Sequence, residues 1–494
     1  MDVTYSKLDA PKIRLLAVIA SYGTKNIEFL RRIIRKYQLM AMDVDVVVVS
    51  EGPKDLGAGV KVVVGLPTRN PMSLPFAHKA IFAENADRYD LFVYSEDDID
   101  VSERHIRAFM RVTAELESEE VAGFIRYEID EQGVRHLPDV HGWYSWNPHS
   151  VRRRGRYTIA KFTNDHAGFY VLTQAHLRKA LSSGGFLQTP YKERYGMLET
   201  AATDPYTRCG FRKVICVSAI EEFLVHHLPN RYVSELGIPL PVFEEQIQTL
   251  MAIGDGAHPA ITLFELEPKI LPGNFWSTNY YEKPCAELLR MVPNEAETIL
   301  SVGCGWGATE VELQRRGATV TALPLNSVVG AGAARMGINL IYGTFEQSLS
   351  ILQGRKFDCV LMKHLLHLLP SPWRVVDACS EFLEEGGQFV VTEVNCNYLP
   401  VLIRRVLGLG DYRNLRNFGH SGINPIGSHT MRRRLSRIGF HVAGVRWFNQ
   451  RPVANLATMH RWLPQFLQDS WIIKARMISP RSVLRPRRTA DTSA

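Results

Sequence analysis

The sequence lacks the features that would place the protein in a membrane, secreted or repetitive class. Among its 494 residues no apolar run approaches the ~20 residues that a membrane-spanning helix needs. The stretch from Met1 to Pro11 is polar and contains acids, so we expect no secretory signal peptide. We find neither an internal repeat nor a long low-complexity run. The sequence therefore predicts a globular protein of the cytoplasm.

Cysteine is scarce, and the excess of positive charge is small. The seven cysteines include no CxxC pair, which argues against a zinc site or a disulfide framework and favours a reducing compartment. The net charge is +7. Residues 476–488 form a basic tail that we expect to be disordered, either as a solubilising end or as a peripheral contact with anionic lipid. No base-reading module is evident, so we expect no nucleic-acid partner.

The length and the apolar content are enough for two or three domains. Hydrophobic residues make up 46% of the chain and charged residues 22%. Proline and glycine become frequent between about 240 and 275, which predicts a boundary. We expect domains at 11–240 and 275–476, a linker at 241–274 and a tail at 477–494. Strands alternate with helices in both halves, which predicts two α/β domains.

In the N-terminal half, four short apolar runs predict the buried strands of a parallel sheet. They lie at 13–20, 44–49, 60–64 and 91–94, with predicted helices at 26–37 and 73–86. Polar residues follow three of these strands, namely Ser21, Glu51 and the run 95–100. Ligands of parallel α/β sheets bind at the carboxyl ends of the strands, so we expect a site there.

Three consecutive acids, Glu96, Asp97 and Asp98, need an explanation, because like charges repel one another at the end of a buried strand. A divalent cation such as Mg²⁺ or Mn²⁺ would remove the repulsion, since both ions prefer oxygen ligands and bind nucleotide phosphates. The alternative is a solvated acidic turn that caps a helix starting after Ser102. The residues alone leave both interpretations open.

With these acids after the fourth strand, residues 13–232 resemble a GT-A glycosyltransferase, a nucleotide-sugar-dependent fold. The resemblance implies that Asp98 binds the metal. It also implies His226 as a late metal ligand, although a buried neutral histidine is the alternative. Contacts with the sugar nucleotide are implied for Ser21, Tyr22, Glu51, Glu96 and Asp97.

Two later segments extend this resemblance. Residues 164–173 resemble the glycine-containing strand beneath donor and acceptor, which implies that Asp165 contacts the nucleotide sugar. Residues 198–204 fall where inverting members carry the carboxylate that deprotonates the acceptor hydroxyl. We favour Glu199 over Asp204 for this catalytic role, and an exposed helix residue is the alternative.

A segment rich in aromatic residues and arginine lies between these motifs. Aromatic rings stack on sugars and arginines bind phosphates, so we interpret the segment as a site for a glycan or glycolipid acceptor. Its residues are Trp143, Tyr144, Trp146, His149 and the run Arg152, Arg153 and Arg154.

The C-terminal half is organised around residues 299–307, where a short apolar strand enters alternating glycines before a predicted helix at 308–316. Glycine lets the backbone turn tightly and a ligand approach, and the helix start offers free N–H groups. Further strands are predicted at 319–323, 338–342, 357–362, 388–393 and 470–475. Further helices are predicted at 276–291, 328–336, 373–383 and 432–440.

This order, together with the stretches 357–364 and 383–391, resembles a class I S-adenosylmethionine (SAM)-dependent methyltransferase with a Rossmann-like sheet over about 275–476. The resemblance implies SAM as the cofactor and His364 as the catalytic base for a hydroxyl acceptor, with a packed histidine as the alternative. Residues 395–429 look like an acceptor lid. Cofactor contacts are implied for Gly303, Cys304, Gly305, Gly307, Asn326 and Lys363.

Two positions depart from that family. Ser301 stands where an acid usually precedes the glycines. The place where an acid usually ends the second strand and holds the ribose hydroxyls reads Leu323-Pro324-Leu325-Asn326, with Pro324 at the strand end. A lost carboxylate removes charge-assisted hydrogen bonds worth ~1.5–3 kcal/mol. Asn326 is the candidate substitute, and a weakened cofactor site is the alternative.

The sequence therefore predicts a bifunctional enzyme that transfers a sugar from a nucleotide donor and O-methylates a sugar or glycan. One alternative is a methyltransferase of a small molecule, protein or lipid with a non-catalytic glycan-binding N-terminal domain. The other is a glycosyltransferase with a degenerate methyltransferase-like scaffold. The residues predict no oligomeric state.

Overall fold

The computed structural model describes residues 12–233, 235–265, 274–449 and 464–478. The chain forms two compact units, Met1–His258 and Pro259–Ala494. In the described ranges no helix is both long and apolar enough to cross a membrane. Residues 479–494, which hold most of the predicted basic tail, lie outside the described residues.

The first unit contains fourteen strands and six α-helices within its described part. The strands are β1 (Arg14–Ser21), β2 (Asp43–Ser50), β3 (Val60–Val64), β4 (Leu91–Glu96), β5 (Ile99–Asp100), β6 (Glu120–Ala122), β7 (Ile125–Ile129), β8 (Arg135–Leu137), β9 (Trp146–Arg154), β10 (Tyr157–Phe162), β11 (Phe169–Thr173), β12 (Arg212–Cys216), β13 (Leu224–His227) and β14 (Ile238–Pro239). The helices are α1 (Ile27–Gln38), α2 (Ala77–Glu84), α3 (Glu103–Thr113), α4 (Gln174–Ser182), α5 (Met197–Thr207) and α6 (Leu240–Gly254), with 3₁₀ turns at Pro71–Phe76 and Val217–Glu222.

The four predicted apolar strands form the central sheet of this unit, in the order β11-β4-β1-β2-β3. Strand β1 pairs in parallel with β2 and β4, and β11 runs antiparallel to β4. Side chains of β1 are buried on both faces, as expected for a sheet covered by helices on both sides. Two further sheets, β6-β12-β10-β9 and β14-β8-β7-β13-β5, complete the unit. The carboxyl ends of β1 and β4 therefore lie side by side.

The first unit extends beyond the predicted boundary at residue 240. Helix α6, which lies in the range predicted as a linker, packs inside this unit, where the indole Nε1 of buried Trp146 donates to Gln246 Oε1 at 3.1 Å. The prolines and glycines that suggested a linker mark the ends of this helix, with Pro239 before its first turn and Gly254 as its last residue.

The second unit is built on one seven-stranded sheet, ordered β17-β16-β15-β18-β19-β21-β20. Its strands are β15 (Thr298–Cys304), β16 (Thr319–Pro324), β17 (Asn339–Leu340), β18 (Phe357–Lys363), β19 (Leu383–Val394), β20 (Phe440–Phe448) and β21 (Ser470–Met477). Its helices are α7 (Ala286–Met291), α8 (Ala308–Arg315), α9 (Gly330–Arg335), α10 (Phe345–Ile351), α11 (Pro372–Ser380), α12 (Leu399–Val406), α13 (Phe418–Ser421), α14 (Ser428–Arg437) and α15 (Pro464–Leu467), with 3₁₀ turns at Asn274–Trp276, Leu366–Leu368 and Gly410–Asn414.

Five parallel strands make up most of this sheet, and β21 followed by the edge strand β20 extends it on one side. Strands β15 to β19 are parallel, whereas β21 is antiparallel to both β19 and β20. The long helix predicted at 276–291 is wrong, because only its last six residues form α7. Pro284 lacks a backbone N–H and pushes the residue before it away from helical geometry, which ends any helix there. The preceding segment instead lies against the glycine turn, where Trp306 N donates to Tyr280 O at 3.0 Å.

Candidate functional sites

A cavity of about 750 Å³ opens in the first unit beside the carboxyl ends of β1 and β4. Acidic, basic and aromatic side chains from distant parts of the sequence line it. The acids are Glu96, Asp97, Asp98 and Glu199, the basic groups include Arg126, Arg194, His166 and His227, and the aromatic wall includes Trp143, Tyr144 and Tyr195. The site predicted after the fourth strand is therefore a real concavity.

The three consecutive acids are held inside this cavity rather than in a solvated turn. Asp97 and Asp98 are 7% and 8% exposed, and Asn26 Nδ2 donates to Asp97 Oδ1 at 2.8 Å and to Asp98 Oδ2 at 3.3 Å. The alternative in which these acids cap the following helix is wrong, because Ser102 and His105 form that cap. Asp98 Oδ1 is buried and makes no hydrogen bond.

Burial and the neighbouring carboxylate of Asp98 raise the pKa of Glu96 to about 8. The positive charge of partly buried Arg126 opposes this shift. Arg126 itself is fixed by Asp139, whose Oδ1 accepts from Nε at 2.9 Å and from Nη2 at 2.6 Å. We therefore expect the Glu96 carboxyl to hold a proton at neutral pH.

The histidine that reaches the acids is His227 and not His226. Successive side chains of a strand point to opposite faces, and both histidines lie on β13. His227 Nε2 lies 3.5 Å from Asp98 Oδ2, and its Nδ1 lies 2.5 Å from Glu128 Oε1. Burial alone would lower the pKa of His227, but Asp98 and Glu128 outweigh burial and raise it to about 9. His226 instead contacts Asn230 and stacks on Tyr127.

The other predicted donor-site residues divide into two groups. Tyr22 lies at the cavity and is 56% exposed, and Glu199 lines the cavity from the first turn of α5. Ser21 is buried and bonds Asp97 through its hydroxyl. Glu51 accepts from Gly23 N at 2.9 Å. Both Ser21 and Glu51 thus support the loops around the cavity.

Asp165 differs from its predicted role, because the lining residues of its segment are its neighbours Asn164 and His166. Its carboxylate lies 3.7 Å from Arg194 Nη1, and its backbone N–H donates to Tyr195. His166 is 8% exposed, and its Nδ1 makes no hydrogen bond.

The predicted acceptor segment is only partly at the cavity. Trp143 and Tyr144 line it, whereas Trp146 is buried against Phe162 and His149 lies exposed on β9. The arginines stabilise the fold rather than bind a ligand. The carboxylate of Glu120 is fully buried, and a buried charge needs an oppositely charged partner. Arg152 and Arg154 bind Glu120, and Arg153 binds Asp255.

A second site lies at the glycine turn of the second unit. A Cβ atom on Gly305 would lie 2.5 Å from Tyr280 O, and one on Gly307 would lie 2.6 Å from Ala333 Cβ. Gly305 thus allows close approach of another backbone, and Gly307 allows two helices to pack. Gly303 and Cys304 line a small cavity of about 20 Å³ beside the turn.

Charged groups converge on this small cavity. Ser301 Oγ donates to Glu310 Oε1 at 2.6 Å, and Lys363 Nζ lies 2.5 Å from Glu282 Oε1. Burial opposes the charge of Lys363, but Glu282 outweighs burial and raises the pKa of that lysine. Ser301 replaces the usual acid on β15, but Glu310 of helix α8 places a carboxylate at the same point. Sequence reasoning missed Glu310 because it follows Ser301 by nine positions.

His364 lies at the same cavity, as predicted from its place after β18. Its backbone φ is +45°, which non-glycine residues seldom adopt and which is found preferentially at functional sites. Burial holds the pKa of His364 well below its usual range, so the imidazole stays neutral. Buried Glu393 shapes the turn that follows, since its Oε1 accepts from Leu365 N at 3.1 Å and from Leu366 N at 2.7 Å.

Asn326 does not line the small cavity as the structure has it. Its Oδ1 accepts from Val328 N at 3.0 Å and from Val329 N at 2.8 Å, an arrangement typical of a cap for the turn that leads into α9. The amide oxygen is therefore already engaged. The predicted lid segment folds as short helices around buried Trp276.

Comparison with known proteins bears on the second unit. A family described as a methyltransferase domain matches residues 275–444. A ubiquinone biosynthesis O-methyltransferase of Xylella fastidiosa (strain 9a5c) is 27% identical over 175 residues, which are 34% of this chain and 71% of that protein. The protein of the same description from Coxiella burnetii (strain Dugway 5J108-111) is 26% identical over 108 residues, or 21% and 46% of the two chains.

Among solved structures, a SAM-dependent methyltransferase from Archaeoglobus fulgidus covers 39% of this chain and 91% of its own, at 16% identity and a TM-score of 0.31. The family match places a methyltransferase domain at residues 275–444, which confirms the predicted Rossmann-like fold of the second unit. It also supports the predicted SAM dependence of that domain.

The raised pKa of Glu96 predicts how stability depends on pH. Between pH 4.5 and about 8 the folded state binds a proton at Glu96 that the unfolded state has released. The free energy of unfolding of the first unit should therefore fall as pH rises through this window, by at most ~1.4 kcal/mol per pH unit from this group. Urea unfolding at several pH values measures the slope.

The variant Glu96→Gln should reduce that slope, whereas Glu131→Gln, which changes an exposed side chain, should leave it unchanged. A first unit whose stability rises with pH over this range, or equal slopes in wild type and Glu96→Gln, would contradict the assignment.

Proposed function

We propose that the protein is an O-methyltransferase that uses SAM at the glycine turn of its second unit. The observation that carries the proposal is the convergence of Glu310, Glu282, Lys363 and His364 on the end of β15 and β18, inside a methyltransferase domain. The description of the curated relatives as O-methyltransferases supports oxygen as the methylated atom. The methyl acceptor in this proposal is a hydroxyl of a small molecule, a lipid, a protein or a glycan.

The charged residues at the turn fit the amino-acid half of SAM. A zwitterion carries an ammonium and a carboxylate, and the site offers two carboxylates, Glu282 and Glu310, and one ammonium, Lys363. Bound SAM supplies an electrophilic methyl group on a sulfonium, which adds a further positive charge. Two carboxylates and one ammonium give the site a net charge of −1. This charge complements the net charge of +1 on SAM, which has two positive groups and one carboxylate.

His364 fits the role of the base. Because burial keeps its imidazole neutral, it can accept the proton of an acceptor hydroxyl without first losing one of its own. The hydrogen bond from His364 N to Thr392 O, at 2.8 Å, fixes its backbone beside the glycine turn.

A second candidate function is specific to the first unit, which we propose binds a nucleotide sugar and transfers the sugar. Support comes from one cavity that holds Glu199, the three acids of the β4 end and an aromatic wall. Among the described residues no three His, Cys, Asp or Glu side chains are grouped to hold a metal ion. If Mg²⁺ or Mn²⁺ binds together with the nucleotide sugar, Asp98 would be its protein ligand through Oδ1, which makes no hydrogen bond, and the ion would neutralise phosphate charge.

A non-catalytic glycan-binding first unit remains the rival to this second candidate. Trp143 and Tyr144 at the cavity favour a carbohydrate ligand in either case. The two readings differ at Asp98, because only nucleotide-sugar binding through a cation needs that carboxylate.

The role of Glu310 is tested by SAM binding to the full chain, measured by titration calorimetry. Glu310→Gln should weaken binding at least about tenfold, since a hydrogen bond to a charged group is worth ~1.5–3 kcal/mol. Glu312→Gln is the matched control, because that residue lies on the same helix and pairs with Arg315 at the surface. Equal affinities of Glu310→Gln and the wild type would refute the role of Glu310. Absence of SAM binding both by the wild type and by Leu263→Ala, which shortens a buried side chain beside the end of β16, would refute the function.

The role of Asp98 is tested by thermal unfolding with Mn²⁺ and UDP- or GDP-sugars. We expect one nucleotide to raise the melting temperature of the wild type, because a ligand at a hundred times its Kd adds ~2.7 kcal/mol. Asp98→Asn should abolish the shift. Asp90→Asn, at a half-exposed residue that precedes β4 and pairs with Arg14, should retain it. If a glycan but no nucleotide sugar stabilises both variants, the glycan-binding rival is correct.

A further inference from the structure

A short segment of the second unit, residues 261–264, lies across the carboxyl end of β16. We call this segment the strap. Leu263 N donates to Leu325 O at 3.0 Å, and Ser327 N donates to Ile261 O at 3.0 Å. Thr262 therefore faces Asn326 as one antiparallel bridge. The strap also reaches the start of α10, since Phe345 N donates to Leu263 O at 3.0 Å.

Two side chains of the strap, Leu263 and Phe264, pack against the second unit. Leu263 is 2% exposed and belongs to the buried cluster that includes Leu325, Val329 and Phe345. The ring of Phe264 lies 5.0 Å from the ring of Phe345. The strap is therefore an integral part of the core in this conformation and not a loosely attached loop.

The place that the strap occupies is the one where this sheet would bind a nucleoside. The strand order β17-β16-β15 puts the end of β16 between the glycine turn and the start of α10. In open parallel α/β sheets a ligand bound at the glycine turn extends along the carboxyl ends of the neighbouring strands, and the ribose lies beside the end of the second strand. Leu263 and the backbone of the strap fill that position.

The site has two halves. The half at the glycine turn would hold the amino-acid part of SAM, and the half at the end of β16 would hold the nucleoside part. At the glycine turn the charged groups suit the cofactor, but the open volume there is about 20 Å³. One water molecule already needs ~10–15 Å³, so this cavity does not hold a whole SAM molecule. Pro324, which stands where the usual acid ends this strand, is buried, and Leu325 beside it packs in the same cluster as Leu263.

We propose that the strap is a lid that closes the nucleoside half of the SAM site and must leave before SAM binds. The inference rests on the proposed function of the second unit. Displacement frees the carbonyl of Leu325 and the N–H of Phe345, two groups that can then bond the nucleoside. The unusual Pro324-Leu325 sequence is explained in the same way, because an acid there would be buried beneath Leu263 in the closed state.

Calorimetric titration of the full chain with SAM tests the proposal through Leu263→Ala. Removing the buried side chain weakens the closed state, so the Kd should fall at least tenfold, which is about 1.4 kcal/mol. Leu288→Ala is the matched control, because Leu288 is equally buried but belongs to another core cluster, and its Kd should equal that of the wild type.

Hydrogen exchange gives a readout that a general loss of stability would not reproduce. In the wild type, saturating SAM should speed exchange of the Leu263 amide, which loses its bond to Leu325 O when the strap leaves. Retained protection of this amide in the SAM complex would overturn the proposal.

A reversible lock tests the same lid without weakening the core. The bridge between Thr262 and Asn326 is of the non-hydrogen-bonded type, in which opposing Cα atoms are ~4.5 Å apart and a disulfide fits. In the double variant Thr262→Cys with Asn326→Cys, oxidation should abolish SAM binding and reduction should restore it. The reduced form is the control for the loss of Asn326.

The outcomes separate the lid from the function. If the wild type binds SAM and both Leu263→Ala and the oxidised double variant bind it equally well, the lid is refuted and the methyltransferase proposal stands. If SAM binds neither the wild type nor Leu263→Ala nor the reduced double variant, the proposed function fails and the lid fails with it.

Discussion

Charge compensation at the carboxyl edge of a parallel sheet is the constraint on which both sites depend. Parallel strands deliver their polar residues to the same edge, where burial makes an isolated charge costly. In the first unit, acids after β4 are balanced by Arg126 and His227. In the second unit, Glu282 is balanced by Lys363. Each site therefore brings together opposite charges that a ligand with complementary groups can reorganise.

Apolar runs and glycine turns predict most of the strands and helices from the sequence, because a buried parallel strand is a short, nearly continuous apolar run. Contacts between side chains that are distant in the sequence leave no comparable pattern. The choice of His227 over His226 depends on which face of β13 meets Asp98, and Glu310 reaches Ser301 only after α8 has formed. The arginines at 152–154 looked like a ligand site because the burial of Glu120 beneath them leaves no mark in the sequence.

Both units place a site at the carboxyl ends of parallel strands. A methyltransferase domain occupies residues 275–444, and the groups at its glycine turn suit the amino-acid half of SAM. The proposed strap would explain why no acid stands at the end of β16, since Leu325, next to that position, packs against Leu263. The strap begins at Ile261, three residues after His258, the last residue of the first unit. The proposal that the first unit transfers a sugar from a nucleotide donor rests on its cavity, which Asp98 and Glu199 line.

A crystal structure of the full chain with S-adenosylhomocysteine, the product of methyl transfer, tests the central claim most directly. The account predicts the ligand along the glycine turn from Gly303 to Gly305, with its amino-acid end at Lys363 and Glu310 and with Leu263 withdrawn from Leu325. A complex in which the strap keeps its hydrogen bonds to Leu325 and Phe345, or in which the ligand lies away from the glycine turn, would contradict it.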